Sequence, residues 1–153
     1  MKFLAMRAVV AALMMVMVSS AADALVLRID FEASGGSLFT DPAIGTVVLE
    51  LEPGVGVENA PVISSSFNFG PISDVVFDLF SNGGAITIGG LGNAGRMSRG
   101  TDDFQLLIFS VFDNPSFVSF DQIDTSQGFG TTTTVTGSVT AVPLPAPALL
   151  LIA

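Results

Sequence analysis

From residue 25 onward the apolar positions of this chain recur every second residue, the period of a strand with one buried face. Leu25, Leu27, Ile29 and Phe31 alternate with Val26, Arg28, Asp30 and Glu32, which predicts a first half-buried strand over 25–32. Residues 45–52 repeat the device: Val47, Leu49 and Leu51 face one way, Thr46, Glu50 and Glu52 the other. Glu52-Pro53-Gly54 then ends that strand as a turn. Residues 61–69 read as a third strand with Ile63, Phe67 and Phe69 spaced for one face. In 74–80, Val75, Phe77 and Leu79 point inward while Asp74, Val76 and Asp78 point outward. Ser81-Asn82-Gly83-Gly84 offers positive φ at several positions, so a hairpin is expected there, with 85–88 as the returning strand.

Residues 89–100 hold five glycines and read as a mobile surface loop. Residues 104–112 (FQLLIFSVF) are apolar on both faces, which places them centrally in a sheet. Asp113-Asn114-Pro115 turns the chain, 117–120 is a short strand, and 131–141 closes the pattern with threonine and valine. No helix start or stop follows residue 24. Eight short strands separated by Gly, Pro and Asn turns predict an all-β chain, a single antiparallel β-sandwich of jelly-roll type over 25–141.

The two ends follow a different pattern. Lys2 and Arg7 precede an unbroken apolar run over 8–18, and small residues follow at 19–22. That is the layout of a secretory signal peptide, here a signal helix over 1–24. Cleavage fits after Ala24, reading Ala22-Asp23-Ala24, or after Ala22, reading Ser20-Ala21-Ala22. The first leaves Leu25 to open a strand. At the other end, residues 142–153 form a Pro-rich apolar tail, beginning Val142-Pro143-Leu144-Pro145-Ala146 and closing on leucines. Proline cannot continue a strand ladder.

This tail resembles the VPLPA variant of the sorting signal of PEP-CTERM proteins. The resemblance covers 142–153. It implies export by a Gram-negative bacterium, processing by an exosortase near Pro143 to Ala146, and association with extracellular polysaccharide. The family pattern continues into a membrane helix and an arginine cluster. Residues 148–153 would make only about 9 Å of helix, against a hydrocarbon core of about 30 Å. The reading therefore expects the chain to continue past Ala153, with transient membrane association through both termini.

Composition narrows the function. The formal charge is −9, and removal of 1–24 takes two cations and one anion and makes the remainder more acidic still. Beyond residue 24 the cations are Arg28, Arg96 and Arg99, too few for a nucleic-acid surface. The chain has no cysteine, histidine, tryptophan or tyrosine. Disulfide frameworks, thiolate and imidazole metal sites, and catalytic triads built on histidine are thereby excluded. Thirteen phenylalanines supply the aromatic content and read mostly as core.

Three groups of residues remain as candidate chemistry. Asp102, Asp103, Asp113, Asp121 and Asp124 gather in the last third near strand ends, where hard oxygen donors on one rim would suit calcium. A solvated acidic rim is the simpler reading. Arg96 and Arg99 could clamp an acidic polysaccharide, or neutralise Asp102 and Asp103. The glycines at 89–95 lack the following Lys-Ser/Thr of a phosphate-binding loop. Carboxylate pairs alone do not make a glycosidase, and no enzyme is expected. The function expected is that of an exported structural protein of the cell surface or extracellular matrix, processed by signal peptidase and exosortase. The alternative is a secreted binding module, lectin-like or calcium-dependent. No cofactor is expected apart from that calcium ion.

Overall fold

The computed structural model describes residues 24–52, 54–70, 72, 74–80, 84–90, 97, 98 and 100–143. Residues 1–23, where a signal helix is expected and which include Ala22, together with Arg96, Arg99 and the tail from Leu144 onward, lie outside the described residues.

Among the described residues there are ten strands: β1 (Leu25–Ser34), β2 (Ala43–Leu51), β3 (Val57–Pro61), β4 (Ser64–Phe67), β5 (Val75–Phe80), β6 (Ala85–Gly90), β7 (Asp103–Phe109), β8 (Ser116–Asp124), β9 (Gly128–Thr131) and β10 (Thr134–Ala141). They form two antiparallel sheets, a four-stranded one ordered β10-β1-β2-β4 and a six-stranded one ordered β3-β5-β6-β7-β8-β9. The inner faces pack together as a sandwich. Strands β5 to β9 pair in chain order as a meander. This replaces the jelly-roll wrapping expected from strand count, since the turns at 110–115 and 125–127 return β8 and β9 beside their predecessors.

The period-two reading holds best in the four-stranded sheet. Leu27, Ile29 and Phe31 of β1, and Val47, Leu49 and Leu51 of β2, are buried, while Arg28, Glu32 and Glu50 are exposed. Arg28↔Val48 and Ile29↔Val47 lie directly opposite, so like faces meet along the ladder. The expected turn at 52–54 is also present, with Gly54 at φ 84° and the Val55 N–H on the Glu52 carbonyl at 3.2 Å.

Three strands read as continuous or short turn out otherwise. Residues 61–69 are not one strand, because the chain changes sheets within them. The Val62 N–H donates to Val75 O of β5 (3.3 Å), and the next N–H, of Ile63, donates to Val48 O of β2 (2.8 Å). Ile63 is left 57% exposed at that crossing, while Phe69 turns into the core. Residues 131–141 divide in the same way. The Thr132 N–H donates to Phe120 O of β8, and its hydroxyl donates to Ser34 O of β1. One residue thus ties both sheets together at that corner. The short strand expected at 117–120 extends to Asp124, since its polar residues lie within the ladder to β7.

Two further expectations change. Gly89 and Gly90, expected in a mobile surface loop, belong to β6 and are buried. Asp78, expected on a wet face, is 0% exposed, and its Oδ1 accepts the N–H of Asn59. Strand β7 does lie centrally, between β6 and β8, but it ends at Phe109, where Ser110 takes φ 53° and begins the turn.

The core is centred on rings. Phe31 and Phe67 of the four-stranded sheet meet Phe104 and Phe120 of the six-stranded sheet, and Phe69 bridges them from the β4–β5 loop; the contacting ring centroids lie 4.9 to 6.4 Å apart. Gly45 of β2 makes room for this cluster, because a Cβ there would enter the rings of Phe31 and Phe67. Aromatic contacts of this kind add about 0.5–1.5 kcal/mol per pair beyond burial.

Candidate functional site

One end of the sandwich carries a concavity of about 150 Å³, open to solvent. Its wall draws on four parts of the chain: Phe39 and Thr40 from the β1–β2 loop, Phe69 and Ile72 from the β4–β5 loop, Asp102 and Asp103 where β7 begins, and Gln122, Asp124 and Gln127 around the end of β8. Phe69 closes the ring cluster on one side and lines the concavity on the other. The floor of the site is therefore the end of the core.

The structure brings together Asp102, Asp103 and Asp124 of the five expected aspartates. Asp113 falls in the β7–β8 turn, at the far end of a seven-residue strand that spans on the order of 20 Å. Asp121 is on β8, one residue from Gln122, and alternation turns it to the other face of the sheet, where Thr131 is its cross-strand partner. Among the described residues no group of three acidic side chains is arranged to hold a metal ion.

Each converging carboxylate is already engaged with the backbone. Asp103 Oδ1 accepts the Phe104 N–H (2.7 Å) and Oδ2 accepts the Ser98 N–H (2.8 Å), pinning the loop that enters β7. Burial pushes the Asp103 carboxyl above the usual aspartate value, and the N–H groups of Ser98, Phe104 and Gly90 pull against that. Asp102 Oδ1 accepts the N–H and hydroxyl of Thr125, at 2.9 and 3.0 Å. Asp124 Oδ1 accepts the hydroxyl and N–H of Ser126 and the N–H of Gln127, which closes the β8–β9 turn. The Ser126 hydroxyl is the main reason that the Asp124 carboxyl titrates below its ordinary range.

Gln122 was not legible as a site residue. It is 5% exposed, and its Oε1 has no hydrogen-bond partner among the described residues. A buried amide oxygen without a donor costs about 1–3 kcal/mol. The pattern carried a trace of it: Gln122 follows Phe120 by two, so a polar residue occupies a core-facing position. The short strand expected over 117–120 stopped before reaching it.

The arrangement is rich in acceptors and, among the described residues, has no lysine or arginine in its wall, while Phe39, Phe69 and Ile72 add an apolar side. Such a site favours hydroxyl donors or cations over anions. Ala24, Val142 and Pro143, the described members of the two expected processing motifs, flank β1 and β10. The Val142 N–H donates to Val26 O at 2.8 Å, so the ends of the fold lie side by side. Among the described residues no helix is long and apolar enough to cross a membrane. Comparison of the chain with family models, curated protein sequences and solved structures returns no match.

Proposed function

We propose that this chain is an exported structural protein of a bacterial cell surface or extracellular matrix, cut by signal peptidase at its start and by an exosortase-type protease near its end. The observation that carries this reading is the agreement between the fold and the two motifs. The first strand opens at Leu25, directly after Ala24, and the last closes at Ala141, directly before Val142. Leu27↔Ala141 pairing leaves both ends at the same corner of the four-stranded sheet. Cutting at both motifs would remove 1–24 and most of the tail without breaking one ladder bond. The test is intact-mass analysis of the protein recovered from a Gram-negative host with and without an exosortase. The expected product begins at Leu25 and ends between Pro143 and Ala146 only when the protease is present. A product that keeps the tail in both hosts would overturn the proposal.

A second reading has its own observation. The acceptor-rich wall of the concavity, in which Gln122 joins Asp102, Asp103 and Asp124, favours a lectin-like binding module for a neutral polysaccharide, whose hydroxyls would donate to those acceptors. Polysaccharide carrying negative charge would meet Asp102, Asp103 and Asp124 and be repelled. Saturable binding of a neutral polysaccharide, lost in Gln122→Leu, supports this reading, and loss of binding on chelation would add calcium to it. Binding that is unchanged in Gln122→Leu sinks it.

A further inference from the structure

Two open sheets leave four edge strands, β10 and β4 on one and β3 and β9 on the other. An exposed edge presents free N–H and C=O groups to any passing strand, and folded proteins guard against this with short strands, charge, proline or bulges. Three of the four edges here are guarded. Strand β3 carries Glu58, Pro61 and a register shift at which Asn59 takes φ 53°. Strands β4 and β9 are four residues each. Even the half of β8 that extends past β9 is interrupted, since the register steps from Leu107↔Ser119 to Ile108↔Phe117 and leaves Val118 as an extra residue.

Strand β10 has none of these devices. It runs for eight residues as TVTGSVTA, without charge, proline or bulge, in a chain of formal charge −9. The Val142 N–H points to β1, so antiparallel alternation turns the even-numbered residues of β10 toward β1. The N–H and C=O groups of Val135, Gly137, Val139 and Ala141 therefore point to the open edge. Among the described residues none of these groups has a hydrogen bond.

We infer that β10 pairs with β10 of a second copy of this chain, antiparallel and centred on Gly137. The strand itself selects that partner, because residues 134–140 read T-V-T-G-S-V-T and are nearly palindromic about the glycine. A two-fold axis through Gly137, normal to the sheet, sets Val135 opposite Val139 of the second copy, Thr136 opposite Ser138, and Thr134 opposite Thr140. Val135 and Val139 are half-buried against the core, whereas Thr134, Thr136, Ser138 and Thr140 are exposed. This register keeps the apolar row on one face and the hydroxyl row on the other. It also makes the outward-pointing residues the hydrogen-bonded pairs. The result is an eight-stranded sheet running through two molecules, and it does not depend on export or processing.

The experiment uses the full chain in mild detergent, which keeps the apolar ends solvated. Sedimentation velocity over a wide concentration series is expected to show a monomer–dimer equilibrium. Thr136→Lys with Ser138→Lys places like charges opposite each other twice and should weaken the dimer by about tenfold or more. Mixing that variant with Thr136→Glu/Ser138→Glu should restore association as a heterodimer. All four substitutions lie on exposed positions, and circular dichroism checks that each variant folds. The chain has no cysteine, so Thr136→Cys/Ser138→Cys reports the register without background. Residues in non-hydrogen-bonded pairs lie about 4.5 Å apart at Cα, within disulfide reach, and oxidation should trap a covalent dimer. A chain that stays monomeric, a dimer indifferent to the lysines, or a dimer that the cysteines fail to trap overturns the inference.

Discussion

The two sheets treat polar residues in opposite ways. On the four-stranded sheet polar side chains of β1 and β2 face water. Arg28 pairs with Asp30 at 2.8 Å, with 52% and 40% of the side chains exposed, and the Thr46 hydroxyl donates to Asp30. On the six-stranded sheet Asp78, Thr87, Asp103 and Gln122 are all buried, one on each of β5 to β8. These residues do not stabilise the sheet as a wet face would. Asp78 and Asp103 hold irregular backbone in place, the bulge at Asn59 and the loop before β7. A polar residue in a strand pattern thus has two fates, solvent or anchor. Which one applies depends on whether a neighbouring segment lacks a partner for its N–H.

The largest expected effect tests whether the two sheets share one core. Phe31→Ala and Phe104→Ala, one from each sheet, should each cost about 3–5 kcal/mol in a urea denaturation series. A much smaller loss for one of them would place the core within a single sheet.

The contrast itself is sharpened by a pair of acids. Asp78→Ala removes the carboxylate that accepts the Asn59 N–H and should cost about 1–3 kcal/mol. Glu50→Ala, on the exposed face of β2, should leave the urea midpoint where it was. Equal effects at both positions would remove the distinction between anchor and wet face.

Carboxyl titration by NMR separates the buried from the exposed acids. Asp103 and Asp121 should titrate above 3.8, each raised by burial, and Asp30 and Asp124 below it. Asp30 is lowered chiefly by its hydrogen bond to Arg28. The signs for stability are opposite. For Asp103 and Asp121 the folded value exceeds the unfolded one, so their contribution is present in acid and is lost as pH rises through that folded value. For Asp30 and Asp124 it is present above the unfolded value and is lost as pH falls through the depressed folded one. Asp103→Asn should therefore flatten the part of the stability profile just above the ordinary aspartate range. An Asp103 value at or below 3.8 would contradict its burial.

The smallest effects come last. Gln122→Leu removes an amide oxygen that has no partner among the described residues and should leave the midpoint unchanged or slightly raised. Asp30→Asn disrupts an exposed ion pair and should not move the midpoint resolvably.

Much of this was readable in advance, and the failures have physical causes. The faces of β1 and β2, the turn at Gly54 and the central place of β7 all follow from alternation and turn chemistry within a few residues. Asp102, Asp103 and Asp124 were likewise marked by their place near strand ends. Asp113 and Asp121 were grouped with them because nearness along the chain does not show which end or face of a strand a residue occupies. Gln122, Phe39 and Gln127 were missed, since they meet only when the β1–β2 loop and the β8–β9 turn come together beside β8 at one end of the core.

The sequence by itself determined the β class, the punctuation of the strands and the poverty of site chemistry, with no histidine or cysteine to call on. These are local or compositional properties, decided by side-chain period and by which functional groups exist. Only the tertiary structure decided that 61–69 and 131–141 each divide between the sheets, that Asp78 is an anchor, and that β10 stands at the edge of the four-stranded sheet. Those outcomes depend on pairing between distant segments, as when the hydroxyl of Thr132 reaches Ser34, 98 positions away. A residue's hydrogen-bond partner across the sandwich is not encoded in the period of its own strand.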